Sequence, residues 1–163
     1  MKTYNPLKDI DSVIAILSRI SVWGGFTSEQ QAKIYRRLEV GIYKKGEYIF
    51  RKGDQPTHIY IVKSGKIDLL ASDRDVTVQK ETVEAGGCFG IASLMAMQPQ
   101  MVTAVATEDS EVMVLSRQAL LELRYEDIEL FALLMMNIAR EIARRLKSAD
   151  DMLLQQVREH KGG

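Results

Sequence analysis

Few side chains in this 163-residue chain have the types or spacing that chemistry needs. Cys88 is the only cysteine, and the two histidines, His58 and His160, lie far apart. A metal centre needs several ligands converging on one point, and no Cys/His cluster has that spacing. Cys88 could serve redox or haem chemistry, but with no second Cys or His near it, it reads as a small buried apolar residue. Arg140, Arg144, Arg145 and Lys147 form a basic stretch that could meet nucleic-acid phosphates. Glu141, Asp150 and Asp151 flank it, so it reads as a solvated helix face. The 22 basic residues balance the 22 acidic ones, and no global positive field exists to hold a polyanion. What chemistry remains is that of binding, not of catalysis.

The elements that must position such a site follow from periodicity. Residues 7–20 place Leu7, Ile10, Val13, Ile14, Leu17 and Ile20 at helical spacing, which predicts a short amphipathic helix ended by Trp23-Gly24-Gly25-Phe26. Thr27 with Gln30 is a capping-box pattern for a second helix carrying Ala32, Ile34, Tyr35 and Leu38. From about residue 40 the pattern becomes short strands. Ile42, Tyr48 and Phe50 lie in runs broken by Gly46 and Gly53-Asp54. In HIYIVKSGKIDLL, residues 58–70, two alternating runs flank Ser64-Gly65, the signature of a β-hairpin. Val76 and Val78, Val102 to Ala106, and Val112 to Leu115 continue the two-residue period. Such strands predict a sandwich or jelly-roll barrel. Ser116 caps a short helix, Gln118 to Arg124. A last helix runs from about Tyr125 to Glu159. Along it Ile128, Ala132, Met135, Ala139, Ile142, Leu146, Ala149 and Leu153 form a heptad seam. Phe131, Leu134 and Ile138 form a second stripe beside its first half, predicted to pack on the barrel while the seam meets another subunit. The alternative is that the whole helix folds back onto its own domain, but it would extend ~50 Å, and few barrels of this size could cover that length. The expected fold is therefore mainly β with flanking helices: a double-stranded β-helix (jelly-roll) barrel with N-terminal helices and a long C-terminal dimerisation helix. Residues 1–124 hold the helices and barrel, and residues 125–163 the long helix and a polar tail of the same domain.

Three stretches then carry a resemblance: LSRISVWGGFTSEQQAKIYRRL, GEYIFRKGDQPTHIYIVKSGKIDLL, and EAGGCFGIASLMAMQPQMVTAVATEDSEVMVLSR. Over about residues 17–117 the chain resembles the cyclic-nucleotide-binding domains shared by catabolite-activator-type regulators, protein kinase A regulatory subunits and cyclic-nucleotide-gated channels. Gly46-Glu47, Gly53-Asp54, Gly65, Gly86 and Phe89-Gly90 stand at family spacing; Gly53 and Gly65 suit turns that need positive φ. The resemblance implies that Phe89 opens a phosphate-binding cassette. In the family it begins Phe-Gly-Glu, presents a short helix to the phosphate, and carries an arginine about ten residues on. The arginine pairs with the phosphate and the glutamate takes the ribose hydroxyl, an arrangement suited to a planar cation. Here, among Phe89, Gly90, Ile91, Ala92, Ser93, Gln100 and Met101, the glutamate position holds Ile91 and the arginine position Gln100. Met101 stands where the family keeps a small residue. No Lys, Arg or His occurs from Glu81 to Thr107. Ser93 and the helix N–H groups are left to hold a weak anion.

These residues predict a non-catalytic regulatory or sensor module, homodimeric, with weak or lost cAMP/cGMP binding. A genuine cyclic nucleotide receptor and the sensor fragment of a catabolite-activator-type transcription regulator stay open, as does another small ligand in place of cAMP or cGMP. In the family's transcription factors a helix-turn-helix follows the long helix, and this chain stops at Gly163, so the expectation is a protein partner without direct DNA contact. A metal-dependent cupin, the enzyme alternative on such a barrel, needs clustered ligands that His58 lacks. Asp9 and Asp11 disrupt any signal-peptide core, and the apolar run at Leu130 to Met136 is too short for a membrane span of ~20 residues. The expected setting is the cytoplasm.

Overall fold

The computed structural model describes residues 3–162. Its architecture follows from strands buried on both sides. In β4 (His58–Ser64) Ile59, Tyr60, Ile61 and Val62 are all buried. Ile59 and Ile61 face the helices, whereas Tyr60 and Val62 face the barrel interior. β9 (Ser110–Ser116), paired antiparallel with β4, does the same: Met113 and Leu115 meet the helices, Val112 and Val114 the interior. With β1 (Asn5–Pro6), β2 (Glu39–Tyr43) and β7 (Cys88–Phe89) they form one sheet, in the order β1-β2-β9-β4-β7. The second sheet runs β3-β8-β5-β6, with β3 (Tyr48–Phe50), β5 (Ile67–Asp73), β6 (Val76–Val83) and β8 (Thr103–Ala106). The two inner faces close on Tyr43, Phe50, Tyr60, Leu69, Phe89 and their aliphatic neighbours. This is the expected jelly roll with flanking helices.

Three expectations need correction. Residues 58–70 are not a hairpin: β4 and β5 belong to different sheets, and β5 pairs with β6 and β8 instead. Ser64-Gly65 is a corner that carries the chain from one sheet to the other. Gly65 has φ of +87°, and a Cβ there would overlap the Ser110 side chain and lie 2.7 Å from the Asp109 carbonyl oxygen. Glycine is thus needed for both conformation and space. The first helix is shorter than residues 7–20: α1 spans Asp11–Leu17, because β1 pairs with β2 and Leu7 N–H donates to the Leu38 carbonyl, holding residues 5–7 extended. A single 3-10 turn, Ser21–Trp23, follows. The last helix starts later than Tyr125. Helix α4 (Arg117–Glu126) includes Tyr125, the chain kinks at Asp127, and α5 runs Ile128–Lys161.

The caps follow the sequence. Thr27 and Gln30 form the reciprocal capping box of α2 (Ser28–Tyr35), Ser116 Oγ accepts from Ala119 N–H, and Asp127 accepts from Leu130 N–H. Asp127 also takes a 2.8 Å bond from Lys33 Nζ, which ties the α4–α5 kink to α2 and holds the Asp127 carboxyl below the usual carboxylate range.

Candidate ligand-binding cassette

The loop singled out by the sequence is built on β7, whose two residues pair with β4, Cys88 opposite Ile61 and Phe89 opposite Tyr60. Phe89 lies in the barrel interior, stacked on Tyr60 at 5.1 Å and 16°, with Phe50 5.9 Å away. Gly90 then turns left-handed at φ +78° and caps α3 (Ile91–Ala96). It packs so close that an added Cβ would lie 2.7 Å from the Tyr60 ring. Met97 ends the helix left-handed as well. The strand–glycine–helix framework expected of the cassette is present.

Its side chains divide. Ile91 is 2% exposed and packs in the helix-side cluster with Leu94, Trp23 and Leu134, not in the barrel cluster. Ala92 is exposed and Ser93 half-buried, with the Ser93 carbonyl accepting from Gln98 N–H at 3.1 Å. Met101 is 73% exposed, so the bulky residue at the family's small-residue position faces solvent. Gln100 is 3% exposed. Its backbone is fixed on the Gly53-Asp54 turn by two 2.8 Å bonds, Gly53 N–H to Gln100 O and Gln100 N–H to Asp54 O. Its Nε2 is buried with no hydrogen-bond partner among the described residues. An unmet buried amide costs roughly 1–3 kcal/mol. The geometry thus packs Phe89 and Gly90 on Tyr60, buries Gln100 on the Gly53-Asp54 turn, sends Ile91 to the helix-side core and leaves Met101 exposed.

No group of His, Cys, Asp and Glu able to hold a metal occurs among the described residues. Burial pushes the Cys88 thiol up to about 12, which keeps it protonated and unreactive. The functional part of Cys88 is its carbonyl oxygen, which accepts a hydrogen bond from Arg145 Nη2. Arg145 is held in turn by Glu141, which also accepts from Ser21 Oγ at 2.9 Å, while Asn137 Nδ2 donates to the Val22 and Gly24 carbonyls. The basic stretch is therefore not wholly a solvated face, because Arg145 ties α5 to the strand that opens the cassette. Glu141 four residues earlier is the spacing of a helical ion pair, and only the fold supplies the third partner.

On α5 the second stripe behaves as expected: Leu134 and Ile138 are buried and Phe131 is half-buried, with Leu130 and Asn137 buried beside them. The seam divides. Met135 and Ile142 are half-buried against the chain's own core, Ala149 is half-buried, and Ile128, Ala132, Ala139, Leu146 and Leu153 are exposed. Met152, Leu154 and Val157 add exposed apolar surface near the C-terminal end. No helix among the described residues is long and apolar enough to cross a membrane.

Comparison with known proteins gives a consistent result. A profile of the cyclic nucleotide-binding domain matches residues 41–127. The chain is 33% identical over 116 residues to a cAMP-dependent protein kinase regulatory subunit of Eremothecium gossypii, covering 71% of the chain and 24% of that protein. It is 35% identical over 112 residues to the Cyclic AMP receptor protein of Thermus thermophilus, covering 67% of the chain and 49% of that protein. The chain thus spans about a quarter to a half of these relatives. The crystal structure of a cyclic nucleotide-binding domain from Methylobacillus flagellatus superposes with a TM-score of 0.83 at 18% identity, over 96% of this chain and 88% of that one.

Proposed function

Because the chain belongs to the cyclic nucleotide-binding domain family, whose matched members include a kinase regulatory subunit and a receptor protein, we propose that it is a non-catalytic regulatory module in which cyclic nucleotide binding is weak or lost. The observation that carries this reading is Gln100: buried, uncharged and unpaired at the position where the resemblance calls for the phosphate-binding arginine. The want of any Lys, Arg or His from Glu81 to Thr107 supports it, since the cassette segment itself carries no cation. Ile91 supports it from the other side, with an aliphatic side chain packed among the helices where a ribose-binding carboxylate is expected. Removing one partner of a buried charge pair costs roughly 2–5 kcal/mol, or about 30- to several-thousand-fold in affinity.

The module works as a homodimer through the α5 seam, with Leu146 and Leu153 exposed on a single chain and available to a second copy. The same reading sets it in the cytoplasm with a protein as its partner and without direct DNA contact. Calorimetry against cAMP and cGMP tests the binding claim. Heats too small to fit at micromolar protein are expected, and low-micromolar binding of either nucleotide overturns it. The match to about half of the longer receptor protein supports a second reading, the sensor portion of a longer regulator. A DNA-binding segment encoded in frame downstream would decide for it.

A further inference from the structure

The N-terminal segment reaches the cassette through a row of aromatic rings. β1 is joined to the sheet by only two paired positions, Asn5 with Val40 and Pro6 with Glu39, and Pro6 has no N–H to give. Both residues are exposed. Beside the Leu7 N–H bond to the Leu38 carbonyl, the side-chain anchor of the segment is Tyr4. Its ring packs against the barrel-interior cluster, its Oη lies 3.1 Å from Tyr43 Oη, and its edge meets the His58 ring at 4.9 Å. Gly41 makes room for it, because a Cβ there would lie 2.8 Å from the Tyr4 ring. Burial and the Tyr43 hydroxyl push the Tyr4 phenol up, so it stays neutral around pH 7.

From Tyr4 the contacts continue inward. His58 lies 5.9 Å from Tyr60, Tyr60 stacks on Phe89, and Tyr60 is also the ring against which Gly90 is packed. Two rings, those of His58 and Tyr60, thus link Tyr4 to the first two residues of the cassette. Packed rings shift as a unit because the interior has no slack to absorb the movement. A segment held by so few backbone bonds also lies at the low-stability end of the molecule and opens on its own.

We infer that Tyr4–Pro6 is a detachable strap that clamps Tyr60 and thereby fixes the position of Phe89-Gly90. With the strap seated, the cassette has one position. With the strap off the edge of β2, Tyr60 and the cassette are free to move together. The N-terminal segment is then an input to the same element that a barrel ligand would act on. The inference depends neither on the dimer nor on any ligand, so it stands or falls apart from the function proposed above.

Amide hydrogen exchange on the full chain tests it. In Tyr4→Ala the amides of Phe89, Gly90 and Ile91 should exchange about tenfold faster or more, while those of the β5–β6 hairpin keep their rates. Tyr4→Phe, which keeps the ring and loses the hydroxyl pair, should leave cassette rates within about twofold. Gly41→Ala, which crowds the ring from below, should reproduce Tyr4→Ala. Unchanged cassette exchange in Tyr4→Ala overturns the inference. So does an equal acceleration in the β5–β6 hairpin, which would make Tyr4 an ordinary core contact.

Discussion

Gln100→Arg should create a phosphate site and, in doing so, weaken the free protein. Gln100 is 3% exposed, and its backbone is pinned to the Gly53-Asp54 turn, so a guanidinium built there starts out buried. Without an anion it is a buried charge lacking a partner, and the cost is on the order of 3 kcal/mol. For a chain of this size each kcal/mol moves Tm by roughly 2–4 °C, so the free variant should melt roughly 6–12 °C below the wild type. A cyclic nucleotide phosphate supplies the missing partner. The recovered pair contributes roughly 2–5 kcal/mol, or about 30- to several-thousand-fold in affinity over the wild type. If the variant binds at about 10 μM, ~1 mM cAMP raises its stability by about 2.7 kcal/mol, which recovers much of the lost Tm. Thermal melts with and without cAMP, with calorimetry for the constants, read both halves. Adenosine, which has the base and ribose but no phosphate, should give no such recovery. Wild-type protein that binds cAMP as tightly as the variant would refute the reasoning, because charge at position 100 would then not be what the cassette lacks.

The remaining expectations concern assembly, backbone and pH. Light scattering should give twice the 18.4 kDa chain mass for the wild type and the chain mass for Leu146→Glu, with little change in monomer folding, because Leu146 is 63% exposed on the single chain. Ile142→Glu should also give monomers but with a lower Tm, since Ile142 packs against the chain's own core. Gly65→Ala, strained at positive φ and clashing with Ser110, should cost about 3 kcal/mol or more; Gly53→Ala, with φ of +93° and open space around it, should cost only about 1–2 kcal/mol by denaturant titration. Burial holds His58 below its ordinary value of 6.5, so the unfolded chain binds the proton first. Stability should therefore fall as pH drops from 6.5 through the folded value, and His58→Gln should flatten that part of the Tm–pH curve.

Much of the fold could be read from local pattern, where local physics decides the outcome. The Thr27–Gln30 box, the Ser116 cap and the α5 period depend on residues three to seven apart, and each forms as the spacing predicts. The hairpin reading of residues 58–70 failed because the turn signal is also local, whereas strand partners are not. Two alternating runs around Ser64-Gly65 fit either a hairpin or a corner between sheets. What selects the corner is that both faces of β4 are apolar, so the strand lies between a helix layer and a barrel interior and its neighbours are β9 and β7. The first helix was overextended for a related reason. Leu7 and Ile10 keep helical spacing with Val13 and Leu17, but the edge of β2 takes residues 5 and 6 as a strand before the helix begins.

The backbone of the candidate site was legible, and the rest depends on which way side chains turn. The left-handed turn at Gly90 accords with the glycine at family spacing, whereas the burial of Gln100 is supplied by the fold. Ile91 and Met101 stand at family positions too, but one packs among the helices and the other points to solvent, and a hydrophobic residue at a loop position carries no sign of which it will do. The proposal of lost binding rests on Gln100 more than on Ile91, because Gln100 is buried with its amide unmet, whereas Ile91 is satisfied in the helix-side core. Arg145 lies on the same helix turn as the seam residues Ile142 and Leu146 and holds the carbonyl of Cys88, directly before Phe89. One side chain thus joins the proposed seam to the strand that opens the cassette, and Arg145→Ala should speed amide exchange at Phe89 and Gly90 without changing the mass by light scattering.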